Sequence, residues 1–225
     1  MASGAAHRVV RVRIPPRDPH ARLVTVEGLG TVRLDAGDVA ALGIVEGARL
    51  SAAAVQRARQ LATRQEARAV ALRLLARRLR SRAELDAALR RRGYAPHDVG
   101  AVIADLTRAG WIDDARFARA WIADRLRLRP SGRRRLVAEL AMRGVDRAVI
   151  HAALAAALPA ADEEELAAAQ AAARSRRLRG LPPATARRRL VAWLQRRGFE
   201  GAVVARAVRA VLGPAHGEED GDAAP

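Results

Sequence analysis

The chain has 225 residues, a formal net charge of +17 and no cysteine. A chain of this length can bury a substantial core, and the lack of cysteine excludes disulfides and cysteine-based metal sites. No apolar stretch approaches the ~20 residues of a membrane span, and residues 1–13 lack the apolar core of a signal peptide. We therefore expect a cytoplasmic protein without membrane contact, whose positive charge attracts polyanions or acidic protein surfaces.

Residues 8–34 alternate between apolar and polar side chains in the manner of β-strands. Segments rich in proline and glycine, at residues 15–19 and 28–30, supply the turns. The pattern predicts two or three antiparallel strands. We assign residues 1–50 to a small β-hairpin module that docks on helices, because a hairpin of this size is only marginally stable alone.

One helical pattern recurs three times in the rest of the chain. Each copy begins with arginine, carries leucines at helical spacing and ends in an arginine–glycine pair followed by an apolar residue. The copies are residues 82–94, 133–145 and 187–199. A helical segment precedes each copy and another follows it, so the repeating unit has three helices. Helical repeats with a period of about 50 residues are tandem packing units, and they usually form binding surfaces.

These observations predict a mainly α fold, with three tandem three-helix repeats in an elongated array behind the small N-terminal β-rich module. The predicted repeats are residues 51–112, 113–159 and 160–212. Residues 213–225 combine acidic side chains with glycine, alanine and proline, and they are predicted to form a disordered acidic tail.

Several residues are predicted to shape helix ends. Ser81 and Glu84 have the spacing of a capping box at a helix start. Four glycines, each followed by an apolar residue, are predicted to end helices in the left-handed conformation. These glycines are Gly93, Gly110, Gly144 and Gly198.

Asp113 and Asp114 are the nearest approach to a catalytic pair of carboxylates. Asp113 stands where an N-cap belongs, and Asp114 adds negative charge at the positive end of a helix. Phe117 takes the position of a hydrophobic staple, so we assign all three a structural role. The five histidines are scattered along the chain, and no serine is paired with a general base in the manner of a catalytic nucleophile. We therefore expect a protein that is not an enzyme, without catalytic residues, cofactor or metal.

All 41 basic residues are arginine, and several clusters fall in first helical turns. A cation is electrostatically unfavourable there, which favours a role in binding over one in folding. Solvated surface charge is the competing interpretation. The predicted basic strip consists of Arg77, Arg78, Arg80, Arg82, Arg125, Arg127, Arg129, Arg133, Arg134, Arg135, Arg187, Arg188 and Arg189.

The few aromatic residues limit how such a strip could hold nucleic acid. Trp111, Trp121 and Trp193 lie at positions that are predicted to be buried. Without exposed rings, stacking on bases is not favoured. The sequence instead predicts contact with phosphates, without sequence preference.

The segment Ser81-Arg-Ala-Glu-Leu85 is followed, about 30 residues later, by Asp113-Asp-Ala-Arg-Phe-Ala118. Together with the three-helix repeats across residues 66–212, these segments resemble the RecX family of bacterial recombination regulators. Some members of that family also carry a short β-rich module, similar to residues 8–50, in front of the repeats.

The resemblance implies a non-enzymatic regulator of the RecA recombinase. Such proteins lie in the helical groove of the RecA filament on DNA and typically inhibit its ATPase and strand exchange. The implied roles are in recombination, DNA repair and the DNA-damage (SOS) response. The implied partners are the RecA filament and single- and double-stranded DNA, and we expect a monomer. Two alternatives stay open: an autonomous DNA-binding protein without sequence preference or of helix-turn-helix type, and a helical scaffold for an acidic protein.

Overall fold

The computed structural model describes residues 6–214. The predicted disordered tail lies, from residue 215 onward, outside the described residues. The described chain divides into two compact units, which are treated separately below. The first comprises residues up to 80 together with 84–112, and the second comprises 81–83 together with everything from 113 onward.

The first unit begins with a small antiparallel sheet. Its strands are β1 (His7–Arg13), β2 (Ala21–Val26), β3 (Gly30–Asp35) and β4 (Arg49–Leu50), in the spatial order β3-β2-β1-β4. A short helix, α1 (Ala36–Ala41), follows β3. The strand count of two or three predicted from the sequence was too low, because β4 is only two residues long and too short to show alternation.

Three longer helices complete the first unit. They are α2 (Ala52–Arg77), α3 (Arg82–Arg90), whose first two residues belong to the second unit, and α4 (Pro96–Arg108). One end of α2 packs with the sheet around Val9, Val24 and Leu34. The rest of α2 packs with α3 and α4 around a second core. The sheet therefore docks on the first helix of the first repeat.

The second unit contains the other two helical triplets. The first triplet is α5 (Asp114–Leu128), α6 (Arg133–Ala141) and α7 (Arg147–Ala157). The second is α8 (Ala160–Ser175) with a 3-10 turn at Arg176–Leu178, then α9 (Pro183–Arg196) and α10 (Gly201–Leu212). Each triplet encloses its own apolar core. The mainly α fold with three three-helix repeats behind a small sheet is thereby confirmed.

The repeated glycines end helices with positive φ. Gly144 has a φ of +70°, and the N–H of Val145 donates back to the carbonyl of Leu140 at 3.2 Å. After Gly198, the N–H of Phe199 donates to Leu194 in the same way, at 3.3 Å. These bonds reach five residues back, so they seal the last turn of each helix and turn the chain toward the next one.

The helix end at Gly110 corrects one prediction. Trp111 donates its N–H to the carbonyl of Leu106 at 2.9 Å, but its side chain is 59% exposed. The prediction that Trp111 is buried was wrong. The next residue, Ile112, is buried in the core of the first triplet instead. Trp121 and Trp193 are half-buried.

Candidate polyanion-binding surface

The start of α6 lies directly against the end of α9 in the second unit. The N–H of Gly132 donates to the carbonyl of Arg197 at 2.9 Å, and the N–H of Arg134 donates to the carbonyl of Gly198 at 3.2 Å. These bonds satisfy N–H groups that a helix start leaves without internal partners. The contact joins the helical copies 133–145 and 187–199 backbone to backbone.

This junction brings together arginines that are far apart in the sequence. Arg134, Arg135, Gln195 and Arg196 line a shallow depression of about 570 Å³. Burial lowers the pKa of the Arg197 guanidinium, and the charges of Arg135, Arg129 and Arg174 lower it further. We call the following residues the junction cluster: Arg129, Arg134, Arg135, Arg196 and Arg197.

Two members of the junction cluster are committed to internal contacts. Arg197 donates to the carbonyl of Pro130 at 3.0 Å, and its guanidinium lies 4.5 Å from the centroid of the Trp193 ring. Arg135 pairs with Glu139 at 2.9 Å. The other three members, Arg129, Arg134 and Arg196, are exposed, and their side chains make no ion pair or hydrogen bond within residues 6–214. These three are available to an anion from solution.

A buried carboxylate, Glu139, organises the interior of the middle repeat. One oxygen accepts from Arg125 Nε at 2.6 Å and from Trp121 Nε1 at 3.1 Å. The other oxygen accepts from Arg135 Nε at 2.9 Å. Burial alone raises the pKa of Glu139, but the hydrogen bonds from Arg125 and Arg135 outweigh it and hold the pKa below its ordinary value. Arg125 is therefore committed to a contact inside the middle repeat.

Two other arginines of the strip, Arg133 and Arg82, lie at helix starts. In each case a carboxylate from the next repeat accepts the backbone N–H of the arginine. The N–H of Arg133 donates to the buried carboxylate of Glu163 at 2.8 Å, and its guanidinium binds the carbonyl of Leu158. The N–H of Arg82 donates to Asp114 at 2.7 Å. A carboxylate at a helix N-terminus offsets the unfavourable arginine there. The first-turn position of these two arginines therefore has a structural explanation.

The thirteen arginines of the predicted strip fall into three groups. Five have half-buried side chains or contacts inside the fold, and three make exposed contacts with a neighbouring side chain. The side chains of the remaining five make no hydrogen bond or ion pair within the described chain. The half-buried or internally bonded group is Arg80, Arg125, Arg133, Arg135 and Arg187. The group with exposed contacts is Arg78, Arg127 and Arg188. The group without a side-chain hydrogen bond or ion pair is Arg77, Arg82, Arg129, Arg134 and Arg189.

The structure also supplies a surface arginine that the sequence interpretation missed. Arg196 precedes the helix-ending pair Arg197-Gly198, and the first copy has Arg91 at the corresponding place. The middle copy has Met142 there, which is 78% exposed. A residue-by-residue alignment of the three copies would have identified this position. The search for arginine clusters at helix starts did not include it.

The two neighbouring carboxylates Asp113 and Asp114 act on different helices. Asp113 caps α5, since its side chain accepts the N–H of Arg116 at 2.9 Å. Asp114 receives the N–H of Arg82, as described above. No group of three or more metal-ligating side chains occurs among residues 6–214. No helix in that range is long and apolar enough to cross a membrane.

Comparison with known families gives matches along most of the helical part. Models described as the first, second and third three-helix domains of RecX match residues 67–106, 113–154 and 162–208. The regulatory protein RecX of Thermobifida fusca is 42% identical over 146 residues, which is 65% of this chain and 78% of that protein. The regulatory protein RecX of Mycobacterium ulcerans is 45% identical over 151 residues, or 66% of this chain and 86% of that protein.

Solved structures show the same fold at low sequence identity. A crystal structure of a regulatory protein RecX superposes with a TM-score of 0.76 at 17% identity, covering 89% of this chain and 98% of that one. RecX from Lactobacillus salivarius superposes with a TM-score of 0.62 at 17% identity, covering 66% and 96% respectively. The first of these similarities extends beyond the residues that the three domain models match.

Proposed function

Because the chain belongs to the RecX family of regulatory proteins, we propose that it binds the RecA filament on DNA and inhibits RecA ATPase and strand exchange. In this proposal it acts without catalysis, as a cytoplasmic monomer, and so limits recombination and the DNA-damage response. Its partners are the RecA filament and single- or double-stranded DNA.

The observation that carries this proposal is the junction cluster. Arg134 and Arg196 come from two different repeats, and both are exposed beside one shallow depression. Guanidinium groups bind phosphate oxygens with two parallel hydrogen bonds. A depression that holds two open guanidinium groups suits a phosphate backbone or an acidic patch of a filament groove.

The proposal is tested by measuring the DNA-dependent ATPase rate of the cognate RecA while this protein is added at near-physiological salt. The informative variant is Arg134→Glu with Arg196→Glu. The matched control is Arg119→Glu with Arg147→Glu, two exposed arginines of the same unit that do not line the depression. We expect ATPase inhibition at substoichiometric protein for the wild type and the control, and its loss in the junction variant.

The same exposed arginines also favour a second function, autonomous DNA binding without sequence preference. This function needs no recombinase, since neutralised phosphates release counterions and drive binding by themselves. Tight, salt-sensitive binding to naked DNA with no change in RecA ATPase would establish this alternative. If the protein binds RecA equally well with and without DNA, it is instead a scaffold for an acidic protein.

A further inference from the structure

The N-terminal sheet of the first unit has one buried face and one exposed face. The buried face supplies Val9, Val24 and Leu34 to the core that the sheet shares with α2. The exposed side chains of β1 and β4 include four arginines, which we call the sheet arginines: Arg8, Arg11, Arg13 and Arg49. Their side chains make no hydrogen bond or ion pair within residues 6–214.

An irregularity in β1 brings these arginines to one face. Side chains alternate between the two faces along a strand, so Arg8 and Arg11, three residues apart, would ordinarily point in opposite directions. The register of β1 against β2 shifts just before Arg11, which leaves Val10 as an extra residue. A β-bulge of this kind re-aims the side chains that follow it. Arg11 and Arg13 therefore lie on the same side of the sheet as Arg8, while Val12 packs toward the core.

Two of the sheet arginines lie directly opposite each other. Arg8 on β1 is the antiparallel partner of Arg49 on β4. Like charges in opposite positions destabilise a sheet. Two acids beside the sheet are already engaged, since Asp18 pairs with Arg33 and Glu46 accepts a backbone N–H of β1 at 3.3 Å. A pair of charges that opposes folding is explained by a ligand that brings negative charge to it.

The sheet arginines suit an extended polyanion better than a single small anion. From Arg8 to Arg13 they cover roughly 15 Å of β1, at about 3.3 Å per residue. One strand of duplex DNA carries about four charges over that length. The four strands contain no Phe, Tyr or Trp on which bases could stack. Contact with phosphates, without sequence preference, is therefore the mode of binding that this face supports.

We propose that the exposed face of the N-terminal sheet is a second nucleic-acid-binding surface, on which the sheet arginines contact the phosphate backbone. The inference goes beyond the proposed function, because the sheet belongs to the first unit and the junction cluster to the second. Binding at this face needs no RecA. The three matched family domains begin at residue 67, so they assign no role to the sheet.

The test is the fluorescence anisotropy of a labelled oligonucleotide of mixed sequence, single-stranded or duplex, titrated with the full-length protein over a range of salt. The variant is Arg8→Gln with Arg49→Gln. We expect the slope of log affinity against log salt to fall by about 1.8 on the duplex and about 1.4 on the single strand. Affinity near physiological salt should fall roughly tenfold.

Two controls separate binding from folding and from overall charge. The sheet variant loses a like-charge pair, so its midpoint of urea denaturation should equal or exceed that of the wild type. The matched variant is Arg57→Gln with Arg68→Gln, two exposed arginines of α2, the helix that packs on the other face of the sheet. It carries the same change of net charge and should keep the wild-type slope.

Three outcomes would overturn the proposal. One is an unchanged slope in the sheet variant on both oligonucleotides. Another is an equal fall in the α2 variant, which would mean that only the overall charge matters. A third is an equal loss of affinity for polyglutamate, because the face would then bind acidic polymers in general.

The junction variant Arg134→Gln with Arg196→Gln, measured in the same assay, keeps the two surfaces apart. If only the junction variant changes the slope, the inference about the sheet is wrong and the proposed function is untouched. If only the sheet variant changes it, the sheet is the nucleic-acid surface, and the proposed function is decided by the RecA ATPase assay alone.

Discussion

The backbone of Gly132 lies so close to Gly198 that a Cβ added to Gly132 would stand 2.4 Å from the carbonyl oxygen of Gly198. That carbonyl accepts the N–H of Arg134, and the carbonyl before it accepts the N–H of Gly132. Backbone meets backbone here, so no side-chain rotation can relieve a clash. The junction between α6 and α9, and with it the junction cluster, depends on this glycine.

Gly132→Ala is therefore expected to destabilise the protein. Overpacking of this kind costs typically 1–3 kcal/mol, and we expect about 2 kcal/mol after the smaller entropy of the unfolded alanine chain is included. Urea denaturation measures the loss. The matched control is Gly201→Ala at the start of α10, where nothing lies within 4 Å of the added Cβ. This control should be neutral or slightly stabilising, and an equal loss in both variants would contradict the role of the close contact.

Glu139→Gln should destabilise the middle repeat in a pH-dependent way. The substitution removes the negative charge that Arg125 and Arg135 share. Breaking a buried pair costs about 3–5 kcal/mol. Because Arg135 is partly exposed, we expect roughly 2 kcal/mol at neutral pH.

The pH dependence follows from the lowered pKa of Glu139. The stability that this carboxylate contributes is fully present above the ordinary glutamate pKa of about 4.5 and is lost as pH falls through the lower, folded-state value. The difference in unfolding free energy between wild type and Glu139→Gln should therefore shrink below about pH 4.5. A difference that stays constant down to pH 3 would contradict this account.

Glu163→Gln should show the opposite pH trend. Burial, opposed by the N–H and charge of Arg133, raises the pKa of Glu163. The folded state binds a proton there more readily, so the wild type gains stability as pH falls through the raised pKa toward 4.5. Glutamine keeps an oxygen for the Arg133 N–H, and we expect it within about 1 kcal/mol of wild type at neutral pH. Relative to wild type, the variant should lose stability as pH falls, and a trend parallel to that of Glu139→Gln would refute the assignment.

The tryptophans should differ in their effects. Trp111 is largely exposed, so Trp111→Ala is expected to change the unfolding free energy by less than about 1 kcal/mol. Trp121→Phe removes the donor to Glu139 and should cost about 1–2 kcal/mol. Denaturation of both variants, followed by circular dichroism at 222 nm, tests this order. Had Trp111 been buried as the sequence suggested, its loss would be the larger.

The helical fold could be predicted because its signals are local. Apolar spacing and glycine–apolar pairs such as Gly144-Val145 act within one turn of the chain. The surface could not be predicted in the same way. Whether Arg133 faces solvent depends on Glu163, and whether Arg196 stands near Arg134 depends on the packing of α6 against α9. Contacts of that kind join residues 30 or more apart and leave no periodic trace in the sequence.

The salt dependence of DNA binding should show whether Arg134 and Arg196 contact phosphates. Each phosphate contact contributes about 0.9 to the slope of log affinity against log salt on duplex DNA. We expect Arg134→Gln with Arg196→Gln to reduce the slope by roughly 2, because both side chains are exposed beside one depression. Arg119→Gln with Arg147→Gln carries the same change of net charge. If that pair lowers the slope equally, DNA responds to the overall charge of the protein and the junction cluster is not its binding surface.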